Sequence, residues 1–200
     1  MSTVNKESSS HRVHIVLFAC VGLALVSPSL VWGRELAAIK ASGVLRVGTS
    51  GDYVPFSLCR KAEDHCEGFD IELSTKMAED LGARIEFVRF KWPALLEDLA
   101  ADKFDLAMSG ITVRPERSLE ASFGRPYAGT ESVVLVADRA RFPDIGSIDE
   151  MGVCLAVNAG GHLEQVARNR FPRARLLTTT LNRSLPAMIL SKNADALLTD

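Results

Sequence analysis

Residues suited to gripping an anion are concentrated at 109–117 (SGITVRPER). The segment offers the hydroxyls of Ser109 and Thr112, accessible backbone N–H groups around Gly110, and the guanidinium group of Arg117. Arginine binds a carboxylate through two parallel hydrogen bonds, which fixes both the position and the orientation of the ligand. The segment therefore predicts an anion clamp, although the same residues would also suit a solvated surface loop.

A second anion-binding pattern lies at 157–164 (VNAGGHLE), where a predicted strand runs through paired glycines into a helix. Backbone N–H groups at a helix start attract anions, so Gly161 and His162 are candidate ligand contacts. His162 could instead cap the helix, and Glu164 in the first turn could simply complement the helix dipole. The glycine spacing matches neither a P-loop nor a dinucleotide fingerprint, so no nucleotide cofactor is predicted.

Three further side chains are placed beside predicted strand ends, which is where open α/β sheets bind ligands. Tyr53 and Trp92 could form the apolar walls of a cleft, although packing in a core would explain them equally well. Asp200 brings a carboxylate to the end of the last predicted strand. The sequence has no Gly-x-Ser-x-Gly and no His-Glu-x-x-His motif, which disfavours serine and zinc hydrolases.

Three cysteines follow residue 33. Cys59 and Cys66 bracket a short polar segment typical of a hairpin tip, and they are a candidate disulfide pair if the protein is exported. A pair of free thiols is the alternative. His65 could join both cysteines in a metal site, but a fourth ligand is not evident, so no metal is predicted. Cys154 lies in an apolar run and is interpreted as a small buried hydrophobe.

These side chains have to be positioned by short apolar runs that alternate with amphipathic segments from Glu35 onward, a pattern typical of a mostly parallel α/β sheet. The pattern predicts strands at 44–49, 84–89, 104–108, 131–138, 152–157, 175–179 and 196–199. It predicts helices at 69–81, from Pro93, at about 162–170 and at about 183–192. This order repeats in the second half, which predicts two lobes: residues 34–137, with a first hinge crossing, and 138–200.

The first 33 residues are predicted to be a signal peptide. Arg12 and a few polar residues precede an apolar stretch at 13–32, and small residues favour cleavage after Gly33. A membrane anchor and a lipoprotein box at 17–20 are the competing readings. Cleavage would leave a periplasmic protein without stable membrane insertion, carrying 21 basic and 24 acidic residues. This balance gives no reason to expect a nucleic acid partner.

Motifs along the whole mature chain resemble those of the family 3 periplasmic solute-binding proteins, the amino-acid receptors of ABC importers. They are GVLRVG at 43–48, YVPF at 53–56, GFDIEL at 68–73, FDLAMSGIT at 104–112, ER at 116–117 and ADALLTD at 194–200. The resemblance implies a Venus-flytrap fold with the ligand between its lobes and an ABC permease as partner. It also implies a role for each candidate residue: Arg117, Ser109, Gly110 and Thr112 for an α-carboxylate, Asp200 for an α-amino group, and Tyr53 and Trp92 flanking the side chain.

A second resemblance is to the cyclohexadienyl dehydratases, enzymes on the same scaffold that act on prephenate or arogenate. It rests on GDYVPFS at 51–57, WP at 92–93, AMSGI at 107–111 and VNAGG at 157–161. In these enzymes a glutamate at the position of Glu164 is the general acid, which must stay protonated in a dry cleft. The enzyme motif has Pro, Thr and Asn where this chain has Ala159, His162 and Leu163. A positive charge on His162 would favour ionised Glu164 and oppose that role.

The sequence therefore predicts first the capture of a small amino acid or organic carboxylate for import, and second a dehydratase. A sensory ligand-binding domain is a third, less favoured reading. Members of the family continue beyond the strand that ends at Asp200, so a C-terminally truncated second lobe is expected. The residues alone do not name the ligand.

Overall fold

The computed structural model describes residues 34–60 and 65–200, so the predicted signal peptide at 1–33 lies outside the described residues. Six α-helices are present in these two ranges: α1 (Leu36–Ser42), α2 (Phe69–Leu81), α3 (Leu95–Ala100), α4 (Pro115–Ser118), α5 (His162–Arg170) and α6 (Leu185–Leu190). The strands there are β1 (Val44–Thr49), β2 (Asp52–Tyr53), β3 (Ser57–Cys59), β4 (Cys66–Glu67), β5 (Arg84–Arg89), β6 (Leu106–Ala107), β7 (Val133–Val136), β8 (Cys154–Asn158), β9 (Arg175–Thr179) and β10 (Ala196–Thr199).

The first sheet is parallel and has the order β5-β1-β6. One face packs against α1 and α2 through Leu45, Val47 and Ala78, and the other face packs against Trp92, Leu95 and Phe104. The predicted helix at 69–81 is confirmed. It ends at Gly82, whose φ of +67° is the left-handed conformation that glycine adopts without a steric penalty. Apolar side chains on both faces of the sheet explain why its central strand β1 is a mainly apolar run.

The second sheet has the order β7-β10-β8-β9, with β7 antiparallel and the other strands parallel. Its strands and α5 bury Leu155, Val157 and Phe171 on one face, while α6 covers Ala156 and Leu197 on the other. The segment predicted at 131–138 as a crossing strand of the first lobe forms the edge strand Val133–Val136 of this second sheet. Burial alternates along this strand: Val134 and Val136 pack against the core of the second lobe, and Val133 and Leu135 are exposed on the opposite face.

Several boundaries differ from the predicted ones. The strand expected at 152–157 is Cys154–Asn158, and the helix expected at about 183–192 is Leu185–Leu190, after a 3₁₀ turn at Asn182–Ser184. The strand expected at 104–108 is only Leu106–Ala107, and the helix expected from Pro93 begins as a 3₁₀ turn over Trp92–Ala94 before α3. Proline lacks an N–H group and fixes its own φ, which suits the first turn of a helix. None of the helices in residues 34–60 and 65–200 is long and apolar enough to cross a membrane.

A small antiparallel sheet of β2, β3 and β4 stands outside the two main sheets. Cys59 and Cys66 face each other across it, and their Sγ atoms are 2.01 Å apart in a disulfide bond. Cys154 is a free, partly buried cysteine. No cluster of three or more His, Cys, Asp or Glu side chains suited to a metal ion occurs in the described part of the chain. The disulfide closes the hairpin of β3 and β4, and β3 pairs on its other side with β2, the strand that carries Tyr53.

Candidate functional site

A cleft lies where the carboxyl ends of the strands of both lobes converge. Its free volume is about 30 Å³, so its walls lie close together. Its walls come from the first lobe (Tyr53, Trp92, Gly110, Thr112, Arg117) and from the second (Asn158, Gly161, His162, Leu163, Asn182, Leu185, Leu198, Thr199, Asp200). All but two of the residues predicted from sequence to contact a ligand or carry out catalysis therefore line one cavity, the exceptions being Ser109 and Glu164.

Arg117 is the charged group on the first-lobe wall. It lies in α4 and is only 3% exposed, yet its one side-chain hydrogen bond runs from Nη1 to the Thr112 carbonyl, at 3.2 Å. Its guanidinium carbon also lies 5.8 Å from the centre of the Trp92 ring. Burial and the neighbouring Arg114 charge lower the pKa of Arg117 to about 10. A buried cation with no carboxylate on it in the described residues is suited to bind an anionic ligand.

Asp200 supplies the opposite charge at the end of β10. Its carboxylate accepts a hydrogen bond from the Tyr53 hydroxyl, which joins the two lobes across the cleft. The Tyr53 ring meets the Trp92 ring edge to face, with centroids 5.8 Å apart. Burial raises the pKa of Asp200, because desolvation disfavours the charged form. A positively charged ligand group beside Asp200 would favour its ionised form, so the cleft has complementary places for both charges of an amino acid.

The loop between β8 and α5 closes the second-lobe wall. Gly160 has a φ of +73°, and a Cβ atom there would lie 2.7 Å from the backbone of Pro93, so the lobes approach closely at this point. His162 follows in the first turn of α5. Burial and the charges of Arg114 and Arg117 lower the pKa of His162, which keeps its imidazole neutral at neutral pH.

Glu164 does not line the cleft. Its carboxylate accepts a hydrogen bond from the Gly160 N–H at 2.7 Å and pairs with Arg168 at 2.5 Å, one turn along α5. Although partial burial opposes it, the hydrogen bonds from Gly160 and Arg168 lower the pKa of Glu164. The Glu164 side chain is thus held in its ionised form and is bound to the backbone of the loop between β8 and α5.

Ser109 also lies away from the cleft, fully buried beneath it. Its Oγ accepts a hydrogen bond from the Ser50 N–H at 3.1 Å, and the hydroxyls of Ser50 and Ser57 each lie 2.9 Å away. Gly110 does line the cleft, but its N–H donates to Asp70 at 2.6 Å. Asp70 and the serines therefore fix the shape of the 109–112 loop, and Thr112 and Arg117 remain to face a ligand.

Sequence reasoning missed Asn158, Asn182 and Asp52. Asn158 is the last residue of β8, and Asn182 opens the turn before α6, so both follow predicted strands at the ligand-binding edge of the second sheet. Asp52 accepts hydrogen bonds from the Asn182 backbone N–H at 3.0 Å and its side-chain Nδ2 at 3.1 Å. The position of polar residues just after a strand was the available signal for the two asparagines. No local pattern links Asp52 to a partner 130 residues away.

Replacing Asp52 with alanine removes both acceptors of this inter-lobe contact. We expect the bound ligand to dissociate about tenfold faster, because two hydrogen bonds that hold the lobes together are lost. Stopped-flow recording of Trp92 fluorescence measures that rate. Asp52→Asn, which keeps one acceptor oxygen, should give an intermediate value. Equal rates in the wild type and Asp52→Ala would show that the contact does not help to retain the ligand.

The sequence of residues 45–200 matches the family model described as bacterial extracellular solute-binding proteins, family 3. A cyclohexadienyl dehydratase of Pseudomonas aeruginosa is 39% identical over 193 residues, which cover 96% of this chain and 72% of the enzyme.

Two solved structures share the two-lobed fold. An ancestral amino acid-binding protein, described as a precursor of cyclohexadienyl dehydratase, superposes with a TM-score of 0.79 at 35% identity, covering 82% of this chain and 73% of that protein. An amino acid ABC transporter substrate-binding protein of Streptococcus pneumoniae, bound to L-arginine, gives a TM-score of 0.76 at 28% identity, covering 82% and 70% of the two chains. The chain belongs to the bacterial extracellular solute-binding proteins, family 3.

Proposed function

We propose that the protein captures a small amino acid or related organic carboxylate in the periplasm and presents it to an ABC permease for import. The observation that carries this proposal is Arg117, a buried cation that faces the cleft without a carboxylate partner among the described residues. Removing a charge from water is costly unless an opposite charge compensates it. A ligand carboxylate held bidentately by Arg117 would supply that compensation.

Asp200 and the aromatic rings complete the proposed binding mode. The Asp200 carboxylate, on the opposite lobe, suits an α-amino group, and Tyr53 and Trp92 offer flat apolar surfaces to the rest of the ligand. A ligand that touches Arg117 in one lobe and Asp200 in the other stabilises their closed arrangement. The proposed site therefore couples binding to lobe closure.

Membership in an extracellular solute-binding family supports export, and the relative from Streptococcus pneumoniae is named as a component of an amino acid ABC transporter. These names support the periplasm as the location and a permease as the partner. The predicted signal peptide at 1–33 is consistent with that route.

The test is a screen of the twenty amino acids by thermal unfolding and intrinsic fluorescence of the purified protein. Trp92 lies in the cleft wall, so bound ligand should change its emission. A ligand present at about 100 times its Kd should stabilise the protein by about 2.7 kcal/mol. At least one amino acid should produce both effects. If none of the twenty amino acids, and none of a set of small organic carboxylates, does so in folded protein, the proposed function fails.

A dehydratase is the second candidate, favoured by the 39% identity to the Pseudomonas aeruginosa enzyme over almost the whole chain. The geometry of Glu164 opposes it. A general acid must be protonated and close to the substrate, whereas Glu164 is paired with Arg168 and is absent from the cleft wall. For catalysis, Glu164 would have to leave Arg168 and take up a proton.

Replacing Glu164 with glutamine tests the two candidates against each other. We expect no phenylpyruvate from prephenate with the wild type, and amino acid affinity in Glu164→Gln within about twofold of the wild type, because Glu164 does not line the cleft. Calorimetry and the absorbance of phenylpyruvate measure these quantities. Glu150→Gln, an exposed glutamate away from the cleft, is the matched control. Turnover by the wild type that disappears only in Glu164→Gln would establish the dehydratase instead.

A further inference from the structure

Three buried polar atoms in the cleft wall have no hydrogen-bond partner within residues 34–60 and 65–200: Nε1 of Trp92, Nδ2 of Asn158 and Nδ1 of His162. Two of them can only donate, Nε1 of Trp92, which is 6% exposed, and Nδ2 of Asn158, which is 5% exposed. Leaving a buried donor unsatisfied costs about 1–3 kcal/mol, so native structures rarely contain such groups without a functional reason. The indole N–H group can only donate, and it therefore requires an acceptor.

The two donors belong to walls that touch each other. Trp92 opens the 3₁₀ turn that continues into Pro93, and the backbone of Pro93 is the part of the first lobe that Gly160 approaches. Asn158 lies in the same loop as Gly160, and its Oδ1 sits against Gly161, where an added Cβ atom would be 2.9 Å away. With Oδ1 placed against the loop, Nδ2 is the half of the amide left for a ligand.

The charges on this side of the cleft favour an acceptor and disfavour a cation. Arg117 lines the cleft near Trp92, and Arg114 is close enough to contribute to the lowered pKa of both Arg117 and His162. Arg114 itself is 3.6 Å from Glu116. A lysine-like or arginine-like side chain placed here would meet guanidinium groups and N–H donors. An oxygen atom would meet favourable partners throughout.

We infer that Trp92 and Asn158 form a subsite for an oxygen acceptor at the end of the ligand's side chain, which makes the preferred ligand an amino acid ending in a carboxamide, carboxylate or hydroxyl. The inference rests on the proposed function, because it assumes that Arg117 and Asp200 hold the ligand's carboxylate and amino groups. It separates this protein from the relative of known structure that binds L-arginine. Asn158 and Trp92 are then the residues that set specificity.

The test uses side chains matched in shape and different in polarity. Isothermal titration calorimetry would measure the wild type, Asn158→Leu and Trp92→Phe with asparagine, aspartate and leucine, and with glutamine, glutamate and methionine. The wild type should prefer the oxygen-bearing member of each set. Either substitution should reduce the preference for that member over leucine or methionine about tenfold, because the N–H group that donates to its side-chain oxygen is removed. The carboxylate and carboxamide members show whether the side-chain acceptor is charged.

Trp92→Phe keeps an aromatic wall, so it separates the loss of the N–H group from the loss of packing. A wild type that prefers leucine, methionine, arginine or lysine would overturn the inference. The inference would also be overturned if Asn158→Leu and Trp92→Phe lowered the affinity for all three amino acids of a set equally. That result would mean that the two donors bind the ligand's main-chain groups. In those cases Arg117-dependent binding of any amino acid would leave the proposed function intact, whereas no binding at all would contradict both.

Discussion

Replacing Arg117 with methionine should lower the affinity for the bound amino acid by about 100-fold or more, because truncating one partner of a buried charge pair costs about 2–5 kcal/mol. Methionine fills a similar volume, so the wall against Trp92 would keep its packing. The same substitution should leave the melting temperature of the ligand-free protein unchanged or higher. Within the described residues Arg117 is buried with a single side-chain hydrogen bond, to the Thr112 carbonyl, and this burial lowers the pKa of its guanidinium group.

Calorimetry and thermal unfolding in the absence of ligand measure the two parts of this prediction. Arg139→Met is the matched control, since Arg139 is exposed and outside the cleft. It should change neither quantity appreciably. Full affinity in Arg117→Met would show that the ligand's anion binds elsewhere. A large fall in the melting temperature would show that Arg117 serves the fold rather than the ligand.

The second large effect is expected at Asp105, which ties the beginning of the described chain to the first sheet. Its carboxylate is fully buried and accepts short hydrogen bonds. Three of them come from Nη2 of Arg34 at 2.6 Å, from Nη2 of Arg46 at 2.7 Å and from the Arg46 backbone N–H at 2.8 Å. Asp105→Asn removes the charge that both arginines compensate. We expect the free energy of unfolding to fall by about 3 kcal/mol, as for other broken buried ion pairs. Chemical denaturation with urea measures this loss.

Asp102→Asn is the matched control, because Asp102 pairs with the same Arg46 but keeps 34% of its side chain exposed. It should cost less than about 1 kcal/mol. The arginine hydrogen bonds outweigh desolvation and hold the pKa of Asp105 well below its usual range. A lowered folded-state pKa stabilises the protein above the unfolded-state pKa of about 4, and the stabilisation is lost as the pH falls through the folded-state value.

The difference in stability between the wild type and Asp105→Asn should therefore be constant from pH 5 to 8 and shrink below about pH 4. Denaturation curves recorded across this range provide the test. A difference that does not depend on pH would mean that packing, rather than the charge of Asp105, causes the loss. Equal losses in Asp102→Asn and Asp105→Asn would show that burial of the ion pair has no bearing on its contribution.

Local patterns predicted the elements well where one periodicity dominated. The helix from Phe69 to Leu81 had an apolar repeat and a glycine stop, the strand at 84–89 alternated polar and apolar residues, and the strands at 44–49 and 196–199 were short, mainly apolar runs. The edge strand Val133–Val136 was harder to place, because pairing with β10 is a long-range event that its own sequence does not encode. The same limit applied to the short strand Leu106–Ala107.

The candidate site could also be predicted only in part. The position of Arg117 after a predicted strand indicated that it lines the cleft, and the motifs shared with the family indicated Tyr53, Trp92 and Asp200. Sequence could not reveal that Ser109 is enclosed by Ser50 and Ser57, because that depends on three segments meeting in space. The i to i+4 spacing of Glu164 and Arg168 is compatible with an ion pair on a helix, but sequence could not show that the Glu164 carboxylate makes this pair instead of facing the cleft. Nδ2 of Asn158 is buried without a hydrogen-bond partner in the described residues, and only the three-dimensional structure shows this.

The most direct test of the central claim is a crystal structure of the protein with the amino acid that binds it most tightly. We expect the ligand's carboxylate within hydrogen-bonding distance of the Arg117 guanidinium group and its ammonium group at the Asp200 carboxylate, between the Tyr53 and Trp92 rings. A ligand bound outside this cleft, or in it with no contact to Arg117, would contradict the account.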